Sequence, residues 1–459
     1  MTDLVVSGGT VVTAERTLRA DVAISDGRIE KVAARIDPVG VARIEADGLL
    51  VLPGCVDVHT HTRLPTDNEP DRFFTDSVAA AMGGTTTFLA FNNPGTGISD
   101  EGAGSLLAGF REFRKRTKGE SAVDFGLSAV LSGQQANPLA ELPRLIRAGV
   151  PTFKAFMVYD FRLTDAQLFA TMQVAARHGG MLEVHCENAT IVDALVARSL
   201  KARHTACRYH AECRPAYAEA EATHRVVAMA RAAEASVYVV HLSCAEALAE
   251  MAAGKAAGVS VFAETCPHYL ALTADLYAEP DEAEVIKRVI SPPLRSADDV
   301  AALWDGVAGG ILDVVATDHV PDRCAVEKRV PAPPFDQISN GGPGIETLLS
   351  VMYSEGYAKG RLTLERTVDL LATTPARLFG MPTKGAVESG RDADLVLFDP
   401  SARGVMRQAD LHHTSDFTPF EGMDTAGAVH SVLVRGVFVV RDGIFVGQRG
   451  SGRFVERHL

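Results

Sequence analysis

Between residues 51 and 317 the chain repeats one texture: a short apolar, β-branched run followed by an Ala/Leu-rich amphipathic stretch. Strand candidates fall at 51–58, 85–91, 124–130, 151–157, 181–185, 236–241, 259–264 and 312–317. Helical spacing fills 72–82, 101–117, 164–178, 217–234 and 244–257. Eight strands alternating with helices fit a closed (β/α)8 barrel better than an open doubly wound sheet. No Gly-x-Gly-x-x-Gly follows the first strand, which weakens a dinucleotide-binding reading. The chain ends differ from this middle. Leu4-Val5-Val6, Thr10-Val11-Val12 and Asp21-Val22-Ala23-Ile24 at one end, and 393–398, 431–434 and 437–440 at the other, read as short strands. Gly8-Gly9, Asp26-Gly27 and Asp442-Gly443 supply the turns. The expectation is an α/β chain: a barrel over 51–384, with a small β-sandwich assembled from 1–50 and 385–459.

Composition bounds the function. The 459 residues exceed one ordinary core and leave room for a barrel plus a smaller domain. A formal charge of −13 lacks the basic footprint that nucleic acid or an anionic membrane requires. No apolar run approaches the ~18 residues that span a bilayer. Seven scattered cysteines form no disulfide framework, and Met1–Gly9 lacks the pattern of an export signal, so a cytoplasmic location is expected.

In such barrels, chemistry gathers at the C-terminal strand ends. His59 and His61, two apart in a strand, share a face. Lys154 lies in the fourth predicted strand, His185 ends the fifth, His241 the sixth, and Asp318 follows the eighth. One strand-end histidine is usually structural, but this joint placement on one rim suits transition-metal ions. His268 and His319 lie near the same mouth and compete as ligands; loop or outlying roles are expected for them. Lys154 cannot coordinate as an ammonium. In a dry mouth its amine is pushed toward neutrality and can take up carbon dioxide as a carbamate. Two carbamate oxygens could bridge two ions ~3.5–4 Å apart. The alternative is a lysine paired with a carboxylate. The Gly-rich Asn340–Gly344 run reads as a turn before a helix, with backbone groups open to a ligand.

The segments His59-Thr60-His61, Phe153–Tyr159, Val184–Asn188, Val240–Ser243, Ser291–Arg295 and Ala316–His319 are similar to the cyclic amidohydrolases. Their order and spacing resemble the dihydropyrimidinase/D-hydantoinase branch, from the β-rich start to Pro419–Met423. The resemblance implies two divalent metal ions, usually zinc. His59, His61 and Asp318 would hold one, His185 and His241 the other, with carbamylated Lys154 and a hydroxide bridging. Tyr159 would hydrogen-bond the oxyanion, and Ser291 and Asn340 would read the ring amide through backbone groups. Asp318 would carry the proton to the leaving nitrogen. The implied reaction opens a small cyclic amide, a dihydropyrimidine or 5-substituted hydantoin, to an N-carbamoyl amino acid. A homotetramer or dimer is implied as well.

Two residues point elsewhere. Arg63 is similar to a dihydroorotase arginine that grips a substrate carboxylate, and Asn93 sits where those enzymes place a binding asparagine. Read alone, Arg63 is equally an ion-paired loop residue. Dihydroorotase or allantoinase is therefore the alternative, against which Tyr159, Ser291-Pro292-Pro293 and Pro419–Met423 weigh. A non-catalytic scaffold is a third reading, disfavoured because all six candidate ligands are present.

Overall fold

The computed structural model describes residues 2–37, 39–91, 104–135, 137–329 and 333–459. Its centre is a cylinder of eight parallel strands: Cys55–Thr60, Thr85–Ala90, Asp124–Leu127 continued by Ala129–Val130, Thr152–Phe156, Met181–His185, Val237–Val239, Val261–Thr265 and Val314–Val315. The third strand breaks at Ser128 and so pairs backward with the second and forward with the fourth. A parallel bridge between Thr60 and His319 closes the ring. Strand parity decides what the interior holds. In the fourth strand Phe153 and Ala155 join the main apolar core, while Lys154 faces the other way, toward His59. Helices follow where the spacing predicts them. Asp165–His178, for example, starts at a Thr164/Gln167 capping box and stops at left-handed Gly179. Among the described residues no helix is long and apolar enough to cross a membrane.

The expected strand 51–58 is two strands with different partners. Leu50–Pro53 pairs antiparallel with Leu395–Phe398 and parallel with Thr10–Val11, while only Cys55–Thr60 joins the barrel. Gly54 makes the switch, because a Cβ there would lie 2.0 Å from Thr86 Oγ1. The sandwich comprises a seven-stranded and a four-stranded sheet drawn from both chain ends. Along the Leu395–Val405 strand, Leu395 and Leu397 enter the sandwich core beside Val11, Val51 and Leu433. Val396 and Phe398 face the barrel-side core instead. The sheet is thus clamped between the small sheet and the barrel.

Residues 450–459 run beneath the barrel, where Phe125 N–H donates to Arg453 O and Val455 N–H to Phe125 O. Arg457 is fully buried there. Its guanidinium donates to Thr152 Oγ1 at 2.8 Å and to the carbonyls of Leu127 and Phe379. Arg457→Met would strand those acceptors and remove the cation that acts most strongly on buried Glu183. The expected cost is about 3 kcal/mol, read as a lower thermal midpoint. An unchanged midpoint would show that the guanidinium is not holding the barrel floor.

Candidate metal centre

The six side chains selected from the strand ends meet at one mouth of the barrel. Lys154 Nζ lies 3.2 Å from His59 Nε2. Asp318 Oδ1 lies 3.0 Å from His59 Nε2 and 3.1 Å from His61 Nε2. The His185 and His241 rings are 4.5 Å apart between centroids, and those of His59 and His241 are 5.4 Å apart. His59, His241 and Asp318 each offer a ligand atom within 4.8 Å of the others.

Buried carboxylates fix which imidazole nitrogens point inward. His59 Nδ1 contacts Glu264 Oε1, leaving Nε2 to face Lys154 and Asp318. The same carboxylate accepts from Tyr238 OH at 2.9 Å and from His241 N–H at 3.2 Å. His185 Nε2 lies 2.6 Å from Glu187 Oε2, which leaves its Nδ1 available. His241 Nδ1 is buried without a hydrogen-bond partner among the described residues. Asp57 binds Thr317 N–H at 3.1 Å and His59 N–H at 3.3 Å, tying strand one to the turn that carries Asp318.

Burial and neighbouring charges shift the ionisable groups of this mouth. Burial opposes ionisation of Asp318, yet His59 and His61 hold its carboxyl well below the usual range. Burial and Lys154 oppose protonation of His59, but Glu264 and Asp318 prevail and raise it to about 9. Burial, then the neighbouring His185, keeps His241 well below the normal imidazole range. Burial pushes Lys154 down to about 8, against the pull of Asp318, Glu264 and Glu183. Backbone strain gathers here too: Tyr159, His241 and Asp318 have φ of +74°, +38° and +50°. Such conformations in non-glycine residues are costly and concentrate at functional sites.

Beside the centre, burial raises the Tyr159 phenol, opposed first by Arg214 and less by Ser291 and Asn340. Tyr159 and Asn340 line one cleft, and His210 in the same cleft contacts Ser291. Arg214 lies 5.3 Å over the Tyr159 ring and pairs with Glu187 at 2.5 Å. His210 Nε2 contacts Ile290 O at 2.9 Å and Ser291 Oγ at 3.2 Å. A cleft of about 330 Å³ runs along this side, lined by Tyr159, Phe161, Val192, His210, Arg214 and Asn340 among others.

His319, His268 and Arg63 stand outside the six. His319 turns away from the six, its Nδ1 accepting from Gly344 N–H at 3.1 Å. His268 is buried outside the cluster, beside Leu272 and Pro343. Arg63 has both guanidinium edges occupied, by Asp322 Oδ1 at 2.6 Å and by Glu327. Asn93 lies outside the described residues. Sequence reasoning missed Glu264, Asp57, Glu187 and Arg214. The first two carried a signal, since each is a carboxylate within an apolar strand, with the parity of an inward-facing position.

The sequence model of the amidohydrolase family matches residues 50–439. The D-hydantoinase of Streptomyces coelicolor is 39% identical over 464 residues, covering 99% of this chain and 97% of that protein. The D-hydantoinase of Geobacillus stearothermophilus is also 39% identical, with 100% and 97% covered. Among solved structures, the dihydropyrimidinase of Brevibacillus agri superposes with a TM-score of 0.94 at 38% identity, covering 100% and 99% of the two chains. With a closed barrel, a donor cluster at its strand ends and this match along nearly its whole length, the chain belongs to the amidohydrolase family.

Proposed function

We propose that the protein hydrolyses a cyclic amide, a 5-substituted hydantoin or dihydropyrimidine, to an N-carbamoyl amino acid. The observation that carries this reading is the convergence of four imidazoles, Asp318 and Lys154 in a buried mouth beside Tyr159, Ser291 and Asn340. The donor set fits two divalent ions, with zinc as the expected metal. His59, His61 and Asp318 would hold one and His185 and His241 the other. Lys154 would lie between them as a carbamate. Supporting that role, its completely buried Nζ lies 3.2 Å from His59 Nε2. Among the described residues no carboxylate pairs with it. An amine placed beside ligand nitrogens suits conversion by carbon dioxide, with loss of one proton, into a two-oxygen ligand.

When bound, the ions supply Lewis acidity, lowering the pKa of water to about 7 and polarising a carbonyl oxygen. The protein's own groups then divide the remaining work. Asp318, held ionised, accepts the attacking water's proton and returns it to the ring nitrogen as the C–N bond breaks. Tyr159 keeps its phenolic proton and donates a hydrogen bond to the carbonyl oxygen as negative charge develops there. Backbone groups at Ser291 and Asn340 seat the ring amide. The family resemblance further supports a homotetramer or dimer, and the seven free cysteines support a reducing, cytoplasmic setting.

The ion pairs of Arg63 favour an uncharged ring over dihydroorotate, because a substrate carboxylate would have to displace Asp322 or Glu327. Dihydrouracil, 5-substituted hydantoins, dihydroorotate and allantoin compared on one preparation test this. The expected result is kcat/KM at least about tenfold higher for the first two classes, a difference of ~1.4 kcal/mol in transition-state binding. Dominant turnover of dihydroorotate, abolished in Arg63→Ala, would overturn the reading.

A further inference from the structure

Lys328 lies past the eighth barrel strand, outside the cluster described above, and is completely buried. A buried ammonium must find acceptors for its three N–H groups or it destabilises the fold. Lys328 Nζ donates to Val289 O at 2.8 Å and to Ser339 O at 2.7 Å. Its third neighbour is Asp322 Oδ2 at 3.8 Å, an ion-pair distance. Val289 stands two residues before Ser291, and Ser339 directly precedes Asn340. One cation therefore fixes the separation of the two backbone segments that carry the ring-reading groups.

The contacts continue outward. Asp322 is also completely buried, and its Oδ1 accepts from Arg63 Nη2 at 2.6 Å. Its backbone carbonyl accepts from Ser415 Oγ. Glu327, the residue before Lys328, takes the other edge of Arg63 and also pairs with Arg323 at 2.9 Å. Charges thus alternate from the loop behind His61, through Arg63, Asp322 and Lys328, to the carbonyls of Val289 and Ser339. The partners of these three side chains are one another, Glu327 and the carbonyls of Val289 and Ser339, none of them in the metal-ligand set, so their effect falls on pocket shape.

We propose that Arg63, Asp322 and Lys328 form an ionic brace that sets the spacing of the Ser291 and Asn340 segments and thereby how tightly the ring amide is held. They are positioning residues, and Arg63 serves the pocket through Asp322 without meeting a substrate carboxylate. The proposal rests on the reading that Ser291 and Asn340 receive the ring.

Lys328→Met keeps the aliphatic stem and removes the charge, while Asp322→Asn and Arg63→Met weaken the outer links. Each variant is assayed for kcat and KM on a 5-substituted hydantoin and on dihydroorotate, for bound metal, and for amide hydrogen exchange. Lys328→Met is expected to raise KM about tenfold with kcat within about twofold, the signature of lost ground-state and transition-state binding alike. Metal content stays at the wild-type level, and exchange quickens at 286–291 and 337–342 but not along strands 55–60 and 152–156. Asp322→Asn and Arg63→Met raise KM about threefold on the uncharged ring as well as on dihydroorotate. A folded, metal-replete Lys328→Met with unchanged KM and unchanged exchange would overturn the brace. So would an Arg63→Met defect confined to dihydroorotate. Should Lys328→Met fail to fold, the other two variants decide on the same readouts. If the wild-type protein opens none of these rings, the hydrolase reading falls, while the exchange measurement still decides the brace.

Discussion

Lys154→Ala is expected to give a folded barrel that has lost its metal and its activity together. Lys154 is completely buried, and its Nζ stands 3.2 Å from His59 Nε2. Truncation leaves a polar gap among imidazoles that would no longer share a bridging ligand. The fall in kcat/KM should reach at least about 10³-fold, the upper range for removing a single preorganised electrostatic group. Acetate or propionate at high concentration should restore part of both properties, because a short carboxylate can put two oxygens where the carbamate would stand. Metal emission analysis and rates across an acid titration measure the two effects separately. Full metal content with an undiminished rate in the variant would end the bridging hypothesis. An enzyme that stays inactive although metal has been restored would point instead to a lost contact with substrate.

Glu264→Gln should weaken metal affinity about 10–100-fold while leaving the barrel intact, the usual range for losing a partner that orients a ligating histidine. The physical reason is the donor count at this carboxylate. His59 Nδ1, Tyr238 OH and the His241 backbone N–H all converge on its two oxygens. Glutamine offers one acceptor oxygen and turns an amide donor toward one of those groups. His59 would then lose the contact that holds Nε2 inward. Competition with a chelator, run on apoprotein reloaded with zinc, measures the change. Tyr238→Phe, which removes one donor and no acceptor, should shift affinity less. Equal affinities in wild type and Glu264→Gln would assign the orientation of His59 to packing alone.

What the sequence made legible follows from geometry. His59, Lys154 and His185 stand on regular strands, where a period of two fixes the side a residue faces, so their convergence could be read from order and parity. The Pro53-Gly54 pair inside the run 51–58 was a readable break, but the obstacle that demands glycine is Thr86, a neighbour only in the folded state. Lys328 and Arg63 look like ordinary loop cations in the sequence. Their meaning comes from Asp322, Glu327 and two distant carbonyls, which no local pattern connects to them. Glu264 lies between these cases: its parity was readable, but the groups it binds come from the first strand and from the sixth strand and its end.

The sandwich has a consequence for biosynthesis. Leu50–Pro53 is flanked on one side by Leu395–Phe398, which a ribosome makes only after the whole barrel segment between them. Until then the early strand exposes an open hydrogen-bonding edge, an invitation to pair with a neighbouring nascent chain. Recombinant yield should therefore respond more to translation speed, temperature and chaperone supply than to the stability of the finished molecule.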